Sequence, residues 1–149
     1  MREILFKAKS VATGEWVYGN YAFTDTNGEQ HFIFQNKAFE HEVDKNTICQ
    51  YTGLCDKNGN KIWENDVLLQ KTTEIHWCQW ECMGVVKYGE HDWDVSNYGH
   101  TSIGFYVEPV VKSGDINKIA CGLNQVDIND EYYPIEVIGN IFDNEDLLQ

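Results

Sequence analysis

Short runs that alternate apolar and polar residues dominate this chain, and turn residues separate them. Glu3 to Ala8 alternates with Ile4 and Phe6 on one face, as a half-buried strand requires. Trp16 to Phe23 (WVYGNYAF) is aromatic and β-branched, a composition that suits a pleated surface. Asn27-Gly28 follows, a pair that tolerates positive φ and closes hairpins. His31 to Phe34 then returns as the partner strand, so the first third reads as a β meander. Lys37 to Asn46 is polar and charged, and its pattern leaves a loop or a short helix open.

Ile48 to Leu54 is the next strand candidate, and Asp56-Lys57-Asn58-Gly59 is a tight-turn signal. Lys61-Ile62-Trp63 follows, Asn65-Asp66 interrupts, and Val67-Leu68-Leu69 starts a new strand. Ile75 to Met83 is rich in Trp and Cys, and Gly84 to Tyr88 reads as a strand. Glu90 to Ser102 reads as a polar excursion, near the length at which loops become unusual. Gly104 to Val107 is a strand that Pro109 ends at an edge. Ser113 to Asp130 shows no clean period, and Ile135 to Ile141 alternates as a closing strand. Asn144 to Leu148 suggests one helical turn, capped by Asp143 or Asn144. Many short strands without a sustained helix predict a mostly β protein, a small barrel or a sandwich.

Charge narrows the function classes. Asp and Glu total 24 against 11 Lys and Arg, a formal net charge of −13. Nucleic-acid binders use a basic stripe to neutralise phosphate, so nucleic acid is not an expected partner. Residues 108–149 carry nine acids and two Lys, a net of −7, against −6 for residues 1–107. The charge first of all keeps the chain soluble; it also permits a basic protein partner, drawn to the acidic third by long-range steering, or a neutral one met through an apolar patch. The opening MREILFKAKS has early charges and no apolar core of a signal peptide. No run approaches the roughly 20 apolar residues of a membrane helix. A cytoplasmic protein with no membrane partner is expected, and the five Cys read as reduced thiols.

Candidate chemistry is sparse. His76, Cys78 and Cys82 could pair with Cys49 and Cys55 around zinc, but neither pair has the tight spacing of a knuckle. Asp92, Asp94 and Ser96 imitate the start of a calcium loop, which fails at Asn97 and Ile103. His91 and His100 flank that acidic stretch, so a metal-assisted hydrolase on residues 90–100 is the alternative to a non-catalytic protein. No nucleophile motif, zincin motif or phosphate loop is present. No catalytic residue, metal ligand or cofactor is assigned. Trp77, Trp80 and Trp93 lie in an aromatic-dense stretch. They are the candidate interaction surface, since aromatic anchors dominate interfaces.

One stretch is specific. Gln50 to Val67, QYTGLCDKNGNKIWENDV, resembles the signature of the YopX family of small phage and prophage proteins, roughly Q-Y-T-G-L-x-D-K-N-G-x-x-I-Y-E-G-D-I-V. The start Met1 to Ala8, the strand Gly84 to Tyr88 and the ending Val137 to Leu148 are also similar to the family. Trp63 stands for the usual Tyr, and Asn65 for the usual Gly. Asn is the side chain best suited to left-handed φ, so the turn into Asp66 should survive. The resemblance implies a single unit, an SH3-like small barrel with additional hairpins and a C-terminal helical turn. A sub-split near 65–70 would part an N-terminal meander from a C-terminal barrel. It implies no activity. Tyr51, Thr52, Gly53, Asp56, Asn58, Gly59, Asn65 and Asp66 are expected to be structural turn residues. The expected role is a phage or prophage accessory protein in the bacterial cytoplasm that binds another protein. Self-association through strand edges is a further expectation, and a nucleic-acid-associated small barrel a further alternative.

Overall fold

A computed structural model describes residues 3–26, 28–35, 39–71, 81–92, 101–110, 121–122 and 134–148, with the backbone alone at Phe39, Lys71, Glu81, Asp92 and Cys121. The chain divides into two compact units, Met1–Gly53 and Leu54–Gln149. The boundary falls upstream of the 65–70 region.

The first unit holds β1 (Phe6–Lys9), β2 (Trp16–Thr24), β3 (Gln30–Gln35), β4 (Phe39–Glu42) and β5 (Cys49–Cys55), which runs past the boundary. The strands are antiparallel neighbours in the order β4-β3-β2-β1-β5. The expected hairpin forms, with Asn20 opposite Phe34 and Thr24 opposite Gln30. Gly28 sits at φ 105°, the freedom its turn requires. Ala8, Val17, Ile33 and Val43 form the buried core, with Phe6 and Ile48 packed against it. Ile4 lies ahead of β1 and is exposed.

The charged segment 37–46 is a correction. Its described part contains β4 and a 3-10 turn, Lys45–Thr47. Exposed Glu40 and Glu42 hide the strand pattern, because β4 is an edge strand. Charge on such an edge discourages unwanted pairing. Asp44 opens the 3-10 turn by accepting from the Asn46 amide at 2.9 Å. Thr47 Oγ1 accepts from the Lys9 amide at 2.8 Å and so ties the turn to β1.

The second unit holds β6 (Lys61–Trp63), β7 (Asp66–Lys71), β8 (Glu81–Asp92), β9 (Thr101–Pro109), β10 (Cys121–Gly122) and β11 (Ile135–Asn140). β6 lies beside the end of β5, and the other five form an antiparallel sheet in the order β10-β9-β8-β7-β11. Ile62, Leu68, Val86, Phe105 and Ile135 are its buried core, with Leu54, Val107 and Val137 alongside. The mostly β expectation stands, but the closed SH3-like barrel does not. Among the described residues β10 and β11 end the sheet without pairing to each other.

Two further corrections concern β8 and the C-terminus. The stretch read as a loop from Glu90 begins and ends in strand, with Glu90 opposite Ile103, His91 opposite Ser102 and Asp92 opposite Thr101. Glu145–Leu148 is a single 3-10 turn. Asn144 does not use its side-chain oxygen to cap that turn, but accepts from the Asn140 amide at 3.1 Å. Asn140 Oδ1 in turn accepts from the amides of Phe142 and Asp143. The strand end thereby folds back on itself.

Candidate functional site

Asp56 organises the signature. Its side chain is 5% exposed, and a carboxylate buried to that extent needs several donors. The β5–β6 turn supplies three of them. Asp56 Oδ1 accepts from the amides of Asn58 at 2.9 Å and Asn60 at 2.8 Å, and Oδ2 from Asn60 Nδ2 at 3.0 Å. Gly59 takes φ 83° so that the chain can wrap this carboxylate. The fourth donor is remote: Val137 of β11 gives its amide to Oδ2 at 3.1 Å. Lys57 adds its amide to the Ile135 carbonyl at 3.0 Å and its Nζ to Glu136 Oε2 at 2.6 Å. Burial pushes the Asp56 carboxyl upward, but the donors from Val137, Asn60 and Asn58 outweigh it and hold the group below its usual range.

Asn65 and Asp66 form a second stitch. Asn65 is the non-glycine residue with positive φ, 64°, among the described residues. Its amide donates to the Val86 carbonyl at 2.8 Å, and its carbonyl accepts from the Ile141 amide at 3.1 Å. Lys87 Nζ donates to Asn65 Oδ1 at 3.2 Å. Asp66, 2% exposed, accepts from the Trp63 amide at 2.8 Å. In the first unit Tyr51 and Thr52 are buried, the Tyr51 amide donates to the Leu5 carbonyl at 2.9 Å, and Gly53 has φ 91°. Most of these bonds join a side chain or a backbone group to the backbone of another segment, so the signature holds chain segments together.

Trp77, Trp80 and Trp93 lie outside the described residues, as do His76, Cys78, Asp94 and His100. Cys49 is buried, and Cys55 and Cys82 are half-buried. Among the described residues no group of His, Cys, Asp and Glu is gathered for a metal ion. His91 is buried and stacks on Tyr106, ring centroids 4.9 Å apart. Ile103 stands in β9, where a calcium loop would need a carboxylate.

Sequence reading missed two arrangements. In the first unit, Tyr21 OH lies 2.7 Å from His31 Nδ1, His31 Nε2 lies 3.0 Å from Glu29 Oε1, and Lys45 Nζ donates to Glu29 Oε2 at 2.9 Å. Hydrogen bonds from Lys45 and then His31 lower the pKa of the Glu29 carboxyl. The chain crosses three elements, so only the i, i+2 spacing of Glu29 and His31 was visible beforehand. In the second unit, one face of β8 and β9 grades outward from the core. Val86 opposite Val107 is followed by Tyr88 opposite Phe105, then Glu90 opposite Ile103. Val86 and Phe105 are buried, whereas Tyr88 is 56% and Ile103 76% exposed. The Tyr88 and Phe105 rings meet at an interplanar angle of 67°, centroids 5.0 Å apart.

No helix among the described residues is long and apolar enough to cross a membrane. A search of curated proteins finds no match. Protein EF1440 from Enterococcus faecalis, a crystal structure, is similar over 100% of both chains at 22% identity, with a TM-score of 0.53. At that identity the likeness speaks for the fold alone. The family model described as YopX protein matches residues 5–149, a span that takes in both stitches and the closing strand, and this chain belongs to the YopX family.

Proposed function

We propose that the protein is a non-catalytic phage or prophage accessory protein that acts in the bacterial cytoplasm by binding another protein. The observation that carries this reading is the exposed apolar face at Tyr88 and Ile103, continuous with the core of its own sheet. Side chains such as these lose hydration cost when a partner covers them. The chemistry of the neighbouring residues supports the same reading. His91 is packed against Tyr106 rather than facing solvent, and the Asp56 and Asp66 oxygens accept from backbone amides.

The test is a tagged pull-down from lysate of a bacterial host, eluted in steps of rising salt and read by mass spectrometry. The reading expects one protein retained in stoichiometric amount and reconstituted with the purified chain. An eluate indistinguishable from an untagged control contradicts it.

A further inference from the structure

The exposed β8–β9 face has a definite electrostatic setting. Of the net charge of −13, the second unit holds most: 17 Asp and Glu against six Lys, a net of −11, leaving −2 for Met1–Gly53. Exposed Glu90 stands between the two apolar residues, on the same face and opposite Ile103. Two cations of the second unit are turned to other work. Lys87 is on the opposite face and reaches Asn65, and Lys57 pairs with Glu136.

We infer that the Tyr88–Glu90–Ile103 face docks a basic polypeptide segment, one with an apolar side chain flanked by Lys or Arg. This inference rests on the protein-binding reading above and names its surface and the chemistry of its partner. Each element of the face has a counterpart. Ile103 covers the apolar side chain, and Glu90 pairs with a cation at the edge of that contact. The exposed Tyr88 ring supplies an aromatic surface for a second cation. Phosphate would be repelled by a unit of this charge. A second copy of this chain would bring another −13 and set its own Glu90 against this one's. Unlike charge makes the basic segment the complementary occupant.

The experiment uses the isotopically labelled full chain, titrated with a short synthetic peptide carrying a central Leu-Trp pair between Lys and Arg residues. A control peptide has Glu in place of each cation. The inference expects amide shifts centred on Tyr88–Glu90 and Ile103–Phe105 with the basic peptide alone. Affinity should fall about tenfold or more in the Tyr88→Ser/Ile103→Ser double variant, the scale of losing hot-spot side chains. Both residues are exposed, so the thermal midpoint of that variant should stay near the parent's. Glu90→Gln should flatten the salt dependence of binding. Shifts centred elsewhere, equal binding of the Glu peptide, no binding, or undiminished binding by the double variant would each overturn the inference. If a partner reconstituted from the pull-down binds parent and double variant equally, the surface is wrong and the protein-binding reading stands. An empty pull-down together with no peptide binding removes both.

Discussion

Val137 donates its amide to Asp56 Oδ2 at 3.1 Å across 81 positions of sequence. Leu68 of β7 faces Val137 in the register, and β11 is the last strand of its sheet. In an antiparallel strand, successive residues alternate their amides and carbonyls between the two sides. The Val137 amide and the Ile135 carbonyl, both taken by the Asp56-Lys57 turn, therefore point away from β7. The turn covers an edge that would otherwise be open to pairing.

Removing the carboxylate should be costly. Asp56→Ala leaves the amides of Asn58, Asn60 and Val137 without their acceptor, and hydrogen bonds to a charged group contribute about 1.5–3 kcal/mol each without adding fully. Urea unfolding should show a loss of about 3 kcal/mol. Asp56→Asn should also destabilise, because its NH2 group would face donors. A loss below about 0.5 kcal/mol would match an ordinary surface substitution instead.

The same carboxyl sets an acid limb. Its folded pKa lies below the ordinary value. Its stabilisation is thus complete above the unfolded carboxyl pKa of about 3.9 and fades as pH falls through the lower folded value. The stability gap between the parent and Asp56→Asn should hold steady from neutral pH to about pH 5 and narrow below about pH 4. Urea midpoints across that range check this. A gap that widens with acid would mean the group is not held ionised.

Asn65 carries a left-handed turn, with φ 64°. Asn65→Gly should change stability by less than about 1 kcal/mol, relieved backbone strain offsetting the lost bond from Lys87. Asn65→Val should cost about 2 kcal/mol or more, since a β-branched residue resists φ 64°. Thermal unfolding of the pair separates a conformational role from a side-chain one. Equal losses in both variants would favour the side chain.

The core offers an independent check on the sheet. Ile62 is fully buried with Leu68, Val86, Phe105 and Ile135, so Ile62→Ala should cost about 2–5 kcal/mol in urea unfolding.

Much of this was legible locally. The β2–β3 hairpin follows from alternation and a turn pair, and the Asp56–Gly59 turn from its residue types. Left-handed φ at Asn65 was expected by resemblance, since Asn stands there for Gly and tolerates that backbone. Charge hid β4 and the far ends of β8 and β9, since Glu40, Glu42 and Glu90 mark solvent in a sequence whether or not the backbone is paired. The barrel was expected by resemblance, and the sheet edges at β10 and β11 correct it. Asp56 was recognisable as a turn residue, but Val137 as its partner was not, because nothing within either segment encodes a bond over 81 positions. The apolar face at Tyr88 and Ile103 was invisible for the related reason that only the β8–β9 register places the two together.

The central claim is that the family signature is a stitch across the open edge of the closing strand. Native-state hydrogen exchange of the Val137 amide, in the parent and in Asp56→Ala, tests it most directly. The account predicts strong protection in the parent and a selective loss in the variant, while core amides of β8 stay protected. An amide that exchanges freely in the parent, or one equally protected in both proteins, would contradict it.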